Sequence, residues 1–234
     1  MTTPKEGKPP EIPHPEGLTQ DQEGLIRGLY RLGAIRFEEK RWALHDQYSD
    51  APLAPIYTDF RVVQRDLQVK HNALMAYSDL VKKAGKFDLL AGLPLGATAL
   101  TSSLSDLIGV PMISPRVDNK THGNVGRKVD GLLPEDAGKT ALIVDDVLSL
   151  ATTKLLGKSI LEENGVKVTD LIGFMDYGIG GREIMAREGV RAHTGYTAAQ
   201  MIDLLTRDGK VDREQGEYAR ERLQKLKEFL KGKA

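Results

Sequence analysis

Two consecutive carboxylates, Asp145 and Asp146, follow the four apolar residues Ala141 to Val144 in the stretch Ala141 to Lys154. The apolar run predicts a short buried strand. A carboxylate pair resists burial, so it is expected where the strand ends, facing solvent or ligand; in parallel α/β sheets, ligands bind outside that carboxyl edge. Beyond it come three hydroxyls, Ser149, Thr152 and Thr153, and a helical pattern from Lys154 to Glu163 that Gly165 can stop. A loop opening into a helix N-terminus offers free N–H groups and the positive end of the dipole to an anion. Carboxylates suit hydroxyls and amides suit phosphate, so the stretch suits a sugar phosphate. The same residues also read as a polar turn with threonine caps, and the rest of the chain has to decide.

A second polar stretch, Pro115 to Gly131, lies between two apolar runs and carries Arg116, Lys120, His122, Arg127 and Lys128. Long glycine-punctuated loops between sheet strands are where mobile functional segments occur. Such a loop is either a solvated connection or a cover for a polyanion. Residues Val117 to Gly131 are expected to be mobile without ligand and to close over it. Earlier, Phe87 to Gly96 reads as a strand and a tight loop, whose Gly92 and Gly96 allow close approach of backbone to a ligand.

Composition narrows the classes. The 234 residues suit one α/β domain with extensions and are ample for a core. Lys plus Arg and Asp plus Glu both number 33, which argues against a general nucleic-acid or membrane-surface binder. There is no cysteine, so disulfides, thiolate metal sites and a cysteine nucleophile are excluded. No apolar run approaches the roughly 20 residues of a membrane span, and the proline-rich start lacks the apolar core of a signal peptide. A cytoplasmic protein without nucleic-acid or membrane partners is expected.

The elements that must position these residues follow from periodicity. Residues 1–18 should form a disordered or loosely packed arm, and 19–234 a single domain. Helices are expected from Thr19 to Gly33, from Leu67 to Lys83 and from Ala97 to Leu107. Beyond the central stretch they are expected after Gly181, from Thr197 through Leu205 behind a Thr197/Gln200 capping box, and from Lys210 to Lys231. That last helix, apolar on one side through Leu223, Leu226, Phe229 and Leu230, suits packing on the domain or on a partner subunit. Strands are expected at Phe87 to Leu90, Val110 to Ile113, Thr140 to Val144 and Val168 to Phe174, with Val190 to Thr194 as an edge. Alternation around Tyr57, Asp59 and Arg61 reads as a further strand, and His45 as a surface histidine. Strand–helix–strand spacing of this kind predicts a twisted, mainly parallel sheet flanked by helices.

From about Trp42 to Leu205 the chain resembles the orotate phosphoribosyltransferases, of the type I phosphoribosyltransferase family. Four ordered segments carry the resemblance. Ala54 to Arg61 is similar to the family's Ser-Pro-x-Tyr segment, and Asp88 to Gly96 to its diphosphate loop. Arg116 to Gly123 is similar to its mobile basic loop, and Leu142 to Thr153 to its ribose-phosphate signature. The resemblance implies a type I phosphoribosyltransferase-like α/β fold with a small N-terminal hood. It also implies transfer of ribose 5-phosphate from 5-phosphoribosyl diphosphate to orotate, in a homodimer, with Mg2+ held mainly by the diphosphate and not by protein ligands. Asp145, Asp146, Lys120 and His122 would be catalytic. Arg116, Ser149, Ala151, Thr152, Thr153, Leu95, Gly96, Tyr57 and Tyr177 would bind substrate.

The chain departs from that pattern at several positions. Ala151 stands where the family has glycine, Leu150 where it has a smaller residue, and Val117 where it has a second basic residue. Tyr177 replaces an arginine of the orotate pocket, and His45 falls near the position of a lysine close to the base. These departures keep two alternatives open: a binder of nucleotide or 5-phosphoribosyl diphosphate without turnover, or a transferase for another base.

Overall fold

The computed structural model describes residues 17–42, 44–117 and 128–233. The expected arm lies almost wholly outside them, and so do Lys120 and His122 of the basic loop. The first elements are α1 (Gln20–Arg31), β1 (Ile35–Arg36), α2 (Leu44–Gln47) and β2 (Tyr57–Thr58), followed by α3 (Leu67–Val81), β3 (Leu89–Gly92) and α4 (Thr98–Ile108). Then come β4 (Met112–Pro115), β5 (Val129–Asp130), β6 (Thr140–Leu148), α5 (Thr152–Glu163) and β7 (Lys167–Asp176). The chain closes with α6 (Gly181–Arg187), β8 (Arg191–Thr197), α7 (Ala198–Arg207) and α8 (Arg213–Lys231).

Six strands form one sheet in the order β5-β4-β3-β6-β7-β8, parallel throughout except for β5. Side chains alternate across it, as a period of two requires. Leu90, Leu142, Val144, Ile172 and Phe174 join one buried cluster with residues of α1, α3, α4, α7 and α8. Leu89, Ala91, Ala141, Ile143 and Leu171 join another with Ile160 and Leu161 of α5 and Met185 of α6. Helices therefore cover both faces, and the fold is type I phosphoribosyltransferase-like. Thr197 caps α7 in the expected box with Gln200. Helix α8 packs on the domain through Leu223, Leu226 and Leu230.

Three expectations are corrected. The segment from Tyr57 to Arg61 is a strand only at Tyr57–Thr58, where β2 pairs with β1 in an antiparallel ribbon. Asp59 then turns its carboxylate onto the Arg61 N–H and starts a 3₁₀ helix, Phe60–Arg65. Local side-chain bonding of this kind competes with a strand. Strand β6 does not end before the carboxylates but runs on to Leu148, because β7 continues beside it and pairs Asp145 with Gly173 and Leu148 with Asp176. His45 is buried: the Trp42 N–H donates to its Nδ1 at 2.8 Å, and its Nε2 lies 3.3 Å from the Pro52 carbonyl. It braces the turn around α2.

Candidate active site

The sheet's carboxyl edge opens into a cleft of about 710 Å³. Arg41, Trp42 and Leu44 wall it on one side, with Tyr57 and Thr58 of β2 beside them. Tyr177 stands with them, and Val147, Ser149, Leu150, Thr152, Thr153 and Lys154 complete the lining. The cleft thus brings Ser149, Thr152, Thr153, Tyr57 and Tyr177 together.

The extension of β6 decides what each carboxylate can do. Neighbouring residues of a strand point to opposite faces. Asp145 turns toward α5, where its Oδ2 meets the Lys154 ammonium at 2.5 Å and both side chains are less than a tenth exposed. Its expected place facing solvent or ligand is therefore corrected. Asp146 points the other way, half-buried, and a Cβ at Gly96 would run into its carboxylate. Burial, and then the neighbouring Asp145 charge, push the Asp146 carboxyl up to about 7, against the opposing effects of Lys154 and the Val147 N–H. The backbone beneath is fixed by Tyr77, whose hydroxyl donates to the Asp145 carbonyl at 2.7 Å while its ring stacks on Phe174 at 3.8 Å.

Ala151 ends the loop with φ 60°, the one non-glycine residue in the left-handed region among those described. The turn demands the conformation that glycine adopts without cost, as the departure from the family's glycine anticipated. It aims the amino end of α5 at the cleft. No side chain caps that end, and its first turn carries no acidic residue. The free amides and the positive end of the dipole are left for an anion, with the exposed Thr152 and Thr153 beside them.

The opposite wall is aromatic and basic. Tyr177 is buried against Trp42, with ring centroids 4.2 Å apart, and burial raises its phenol well above its ordinary value. Arg36 and Lys40 lie over the Tyr57 ring at 5.0 and 4.8 Å. Arg61 donates to the Tyr57 hydroxyl at 3.2 Å and is itself held by Asp59. Arg116 lies at the end of β4, engaged by Asp130 of β5 through both carboxylate oxygens, and does not line the cleft. Leu95 is exposed on the loop after β3.

Sequence reasoning missed Lys154, Arg41 and Trp42. Lys154 carried a signal, because the buried face of α5 runs Lys154, Gly157, Ile160, Leu161, which places a lysine in an apolar stripe. Among the described residues no group of three or more His, Cys, Asp and Glu side chains could hold a metal ion, and no helix is long and apolar enough to cross a membrane. With Asp145 engaged, the donor set suits a magnesium ion held by the oxygens of a bound diphosphate and by water.

No family model matches the chain. Among curated proteins it is 30% identical over 191 residues to the bifunctional enzyme PyrF/PyrE of Nostoc sp., covering 82% of this chain and 38% of that one. It is 27% identical to the orotate phosphoribosyltransferase of Chlamydia felis, covering 80% of this chain and 86% of that one. Two of the curated relatives it matches are much longer, and the chain spans 38% of the length of each. Among solved structures, UMP synthase of Leishmania donovani superposes with a TM-score of 0.75 at 22% identity, over 86% of this chain and 42% of that one. Orotate phosphoribosyltransferase of Aeropyrum pernix superposes with a TM-score of 0.64 at 22% identity, over 79% and 99%.

Proposed function

We propose that this chain, a divergent relative of the orotate phosphoribosyltransferases with their type I fold, transfers ribose 5-phosphate from 5-phosphoribosyl diphosphate to orotate. The observation that carries the reading is the cleft itself. An uncapped helix N-terminus for a phosphate faces an aromatic wall for a planar base, and Asp146, the carboxylate for ribose hydroxyls, sits on β6 next to Val147 of the cleft lining.

In the reaction the bond from ribose C1 to the diphosphate breaks, and the diphosphate leaves with the electron pair. The pyrimidine nitrogen, its proton already lost, forms the new bond to C1. C1 becomes cationic as the leaving group gathers negative charge, so fixed charges oriented at both ends supply most of the rate. The amides of Thr152 and Thr153 grip the 5-phosphate, with Ser149 and the Ala151 turn shaping the loop. The carboxylate pair, Asp146 foremost, accepts the ribose hydroxyls and steadies the positive ring. Leu95 and Gly96 border the diphosphate, and Arg116, Lys120 and His122 offset its charge. Tyr57, Trp42 and Tyr177 form the wall against which the base rests. Arg41, in the same wall, supplies the guanidinium for the orotate carboxylate that the replacement at Tyr177 removed. Magnesium bound together with the diphosphate would supply positive charge toward the leaving group. The chain works as a homodimer in the cytoplasm on this reading.

A second reading, binding without turnover, is favoured by one observation: Asp145 is already paired with Lys154. A diphosphate-release assay over a panel of bases with magnesium separates the two. Release with orotate supports transfer. Tight 5-phosphoribosyl diphosphate binding without release for any base supports the binder.

A further inference from the structure

Lys154 breaks two local rules. It places a positive charge in the first turn of a helix, where the dipole opposes it, and it occupies the apolar face of α5 at 6% exposure. An apolar side chain there, with a neutral residue at 145, would pack at least as well, since buried ion pairs seldom repay their desolvation. Rules broken together at a cleft mark function rather than stability. The partner is the first of the two carboxylates, and β6 points the second to the opposite face, beside Gly96.

We propose that Lys154 is a positioning residue that fixes Asp145 as an ion pair, removes one of the two adjacent carboxylate charges of β6 from what an anionic ligand meets, and leaves Asp146 as the carboxylate for ribose hydroxyls. The inference rests on the ribose-phosphate reading of the cleft and holds whether or not the bound ligand is turned over. Two bare carboxylates would repel a phosphorylated, diphosphorylated sugar unless a divalent cation intervened. With one neutralised internally, the ligand needs that cation less. Of the other charged or titratable groups, Arg61 feels the Asp146 charge and is engaged by Asp59, Tyr177 and Tyr196 are buried phenols that feel it too, and the Tyr77 hydroxyl is committed to the Asp145 carbonyl.

Calorimetric titration of 5-phosphoribosyl diphosphate into the full chain, with and without magnesium, tests this on three proteins: wild type, Lys154→Met, and Lys154→Met with Asp145→Asn. Without magnesium, Lys154→Met should bind about tenfold more weakly than wild type, and magnesium should close most of that gap. A packing defect would instead lower affinity equally in both conditions. The double variant has no unpaired buried carboxylate, so it is expected to fold even if the single one does not. It should bind without magnesium within about threefold of wild type. Loss of binding in the folded double variant would show that Asp145 or Lys154 itself contacts the ligand, and would overturn the inference alone. Failure of the wild type to bind in either condition would overturn the ribose-phosphate reading with it.

Discussion

Gly96 backs onto Asp146 so closely that any Cβ there would meet the carboxylate oxygens. The loop after β3 and the middle of β6 are thereby keyed together, and the direction of the Asp146 carboxylate depends on the absence of a side chain. Gly96→Ala should displace it. The expected result is at least a tenfold loss in affinity for 5-phosphoribosyl diphosphate, with a melting temperature lowered by no more than about 4 °C. Calorimetry and a thermal melt read both, and unchanged affinity would separate Asp146 from the ligand.

Ala151 holds the left-handed turn that starts α5. That conformation costs an alanine about 1 to 2 kcal/mol, of which loss of the buried methyl and the added freedom of glycine when unfolded return part. Ala151→Gly should therefore stabilise the chain by about 0.5 to 1 kcal/mol, a rise of about 1 to 4 °C in the melting temperature. A fall would mean that the methyl's packing outweighs the backbone term.

The raised Asp146 carboxyl makes stability depend on pH with a definite sign. Between an ordinary carboxylate value near 4 and about 7, the folded chain keeps a proton there that the unfolded chain has lost. Stability therefore falls as pH rises through that window. Asp146→Asn has no such group. The melting temperature of wild type minus that of the variant should decline from about pH 5 to about pH 8. A constant difference would show that the carboxyl titrates as an ordinary one.

Arg41 lines the cleft and meets the orotate carboxylate on the proposed reading, and its loss should be selective. Removing one charged partner of a ligand carboxylate costs about 1.5 to 3 kcal/mol, or about ten- to a hundredfold in affinity. Arg41→Met should weaken orotate by that factor while leaving ribose 5-phosphate affinity unchanged. Equal loss for both ligands would place Arg41 in the scaffold instead.

Much of the frame was legible because it rests on periodicity. Leu89 to Ala91, Leu142 to Val144 and Leu171 to Phe174 alternate between two buried clusters, and their spacing implied a parallel sheet with helices on both sides. The capping box at Thr197 followed from residue type alone, and the strained turn at Ala151 from the family resemblance, which has glycine there. The run of β6 through Asp145 and Asp146 did not, because pairing with β7 overrides the polarity of the residues paired. That single extension separates the two carboxylates and hides one of them. Lys154 read only as the start of a helical pattern, and its place on the buried face gains meaning once its partner is known. Arg41 and Trp42 reach the cleft through the fold around β1 and β2, where the local periodicity is weakest.

The most direct measurement follows orotate itself. With 5-phosphoribosyl diphosphate and magnesium present, the ultraviolet absorbance of orotate should fall as it is converted to orotidine 5′-monophosphate, with one diphosphate appearing per orotate lost. Asp146→Asn should abolish the change while keeping its fold. Orotate that persists with saturating 5-phosphoribosyl diphosphate demonstrably bound would contradict the account.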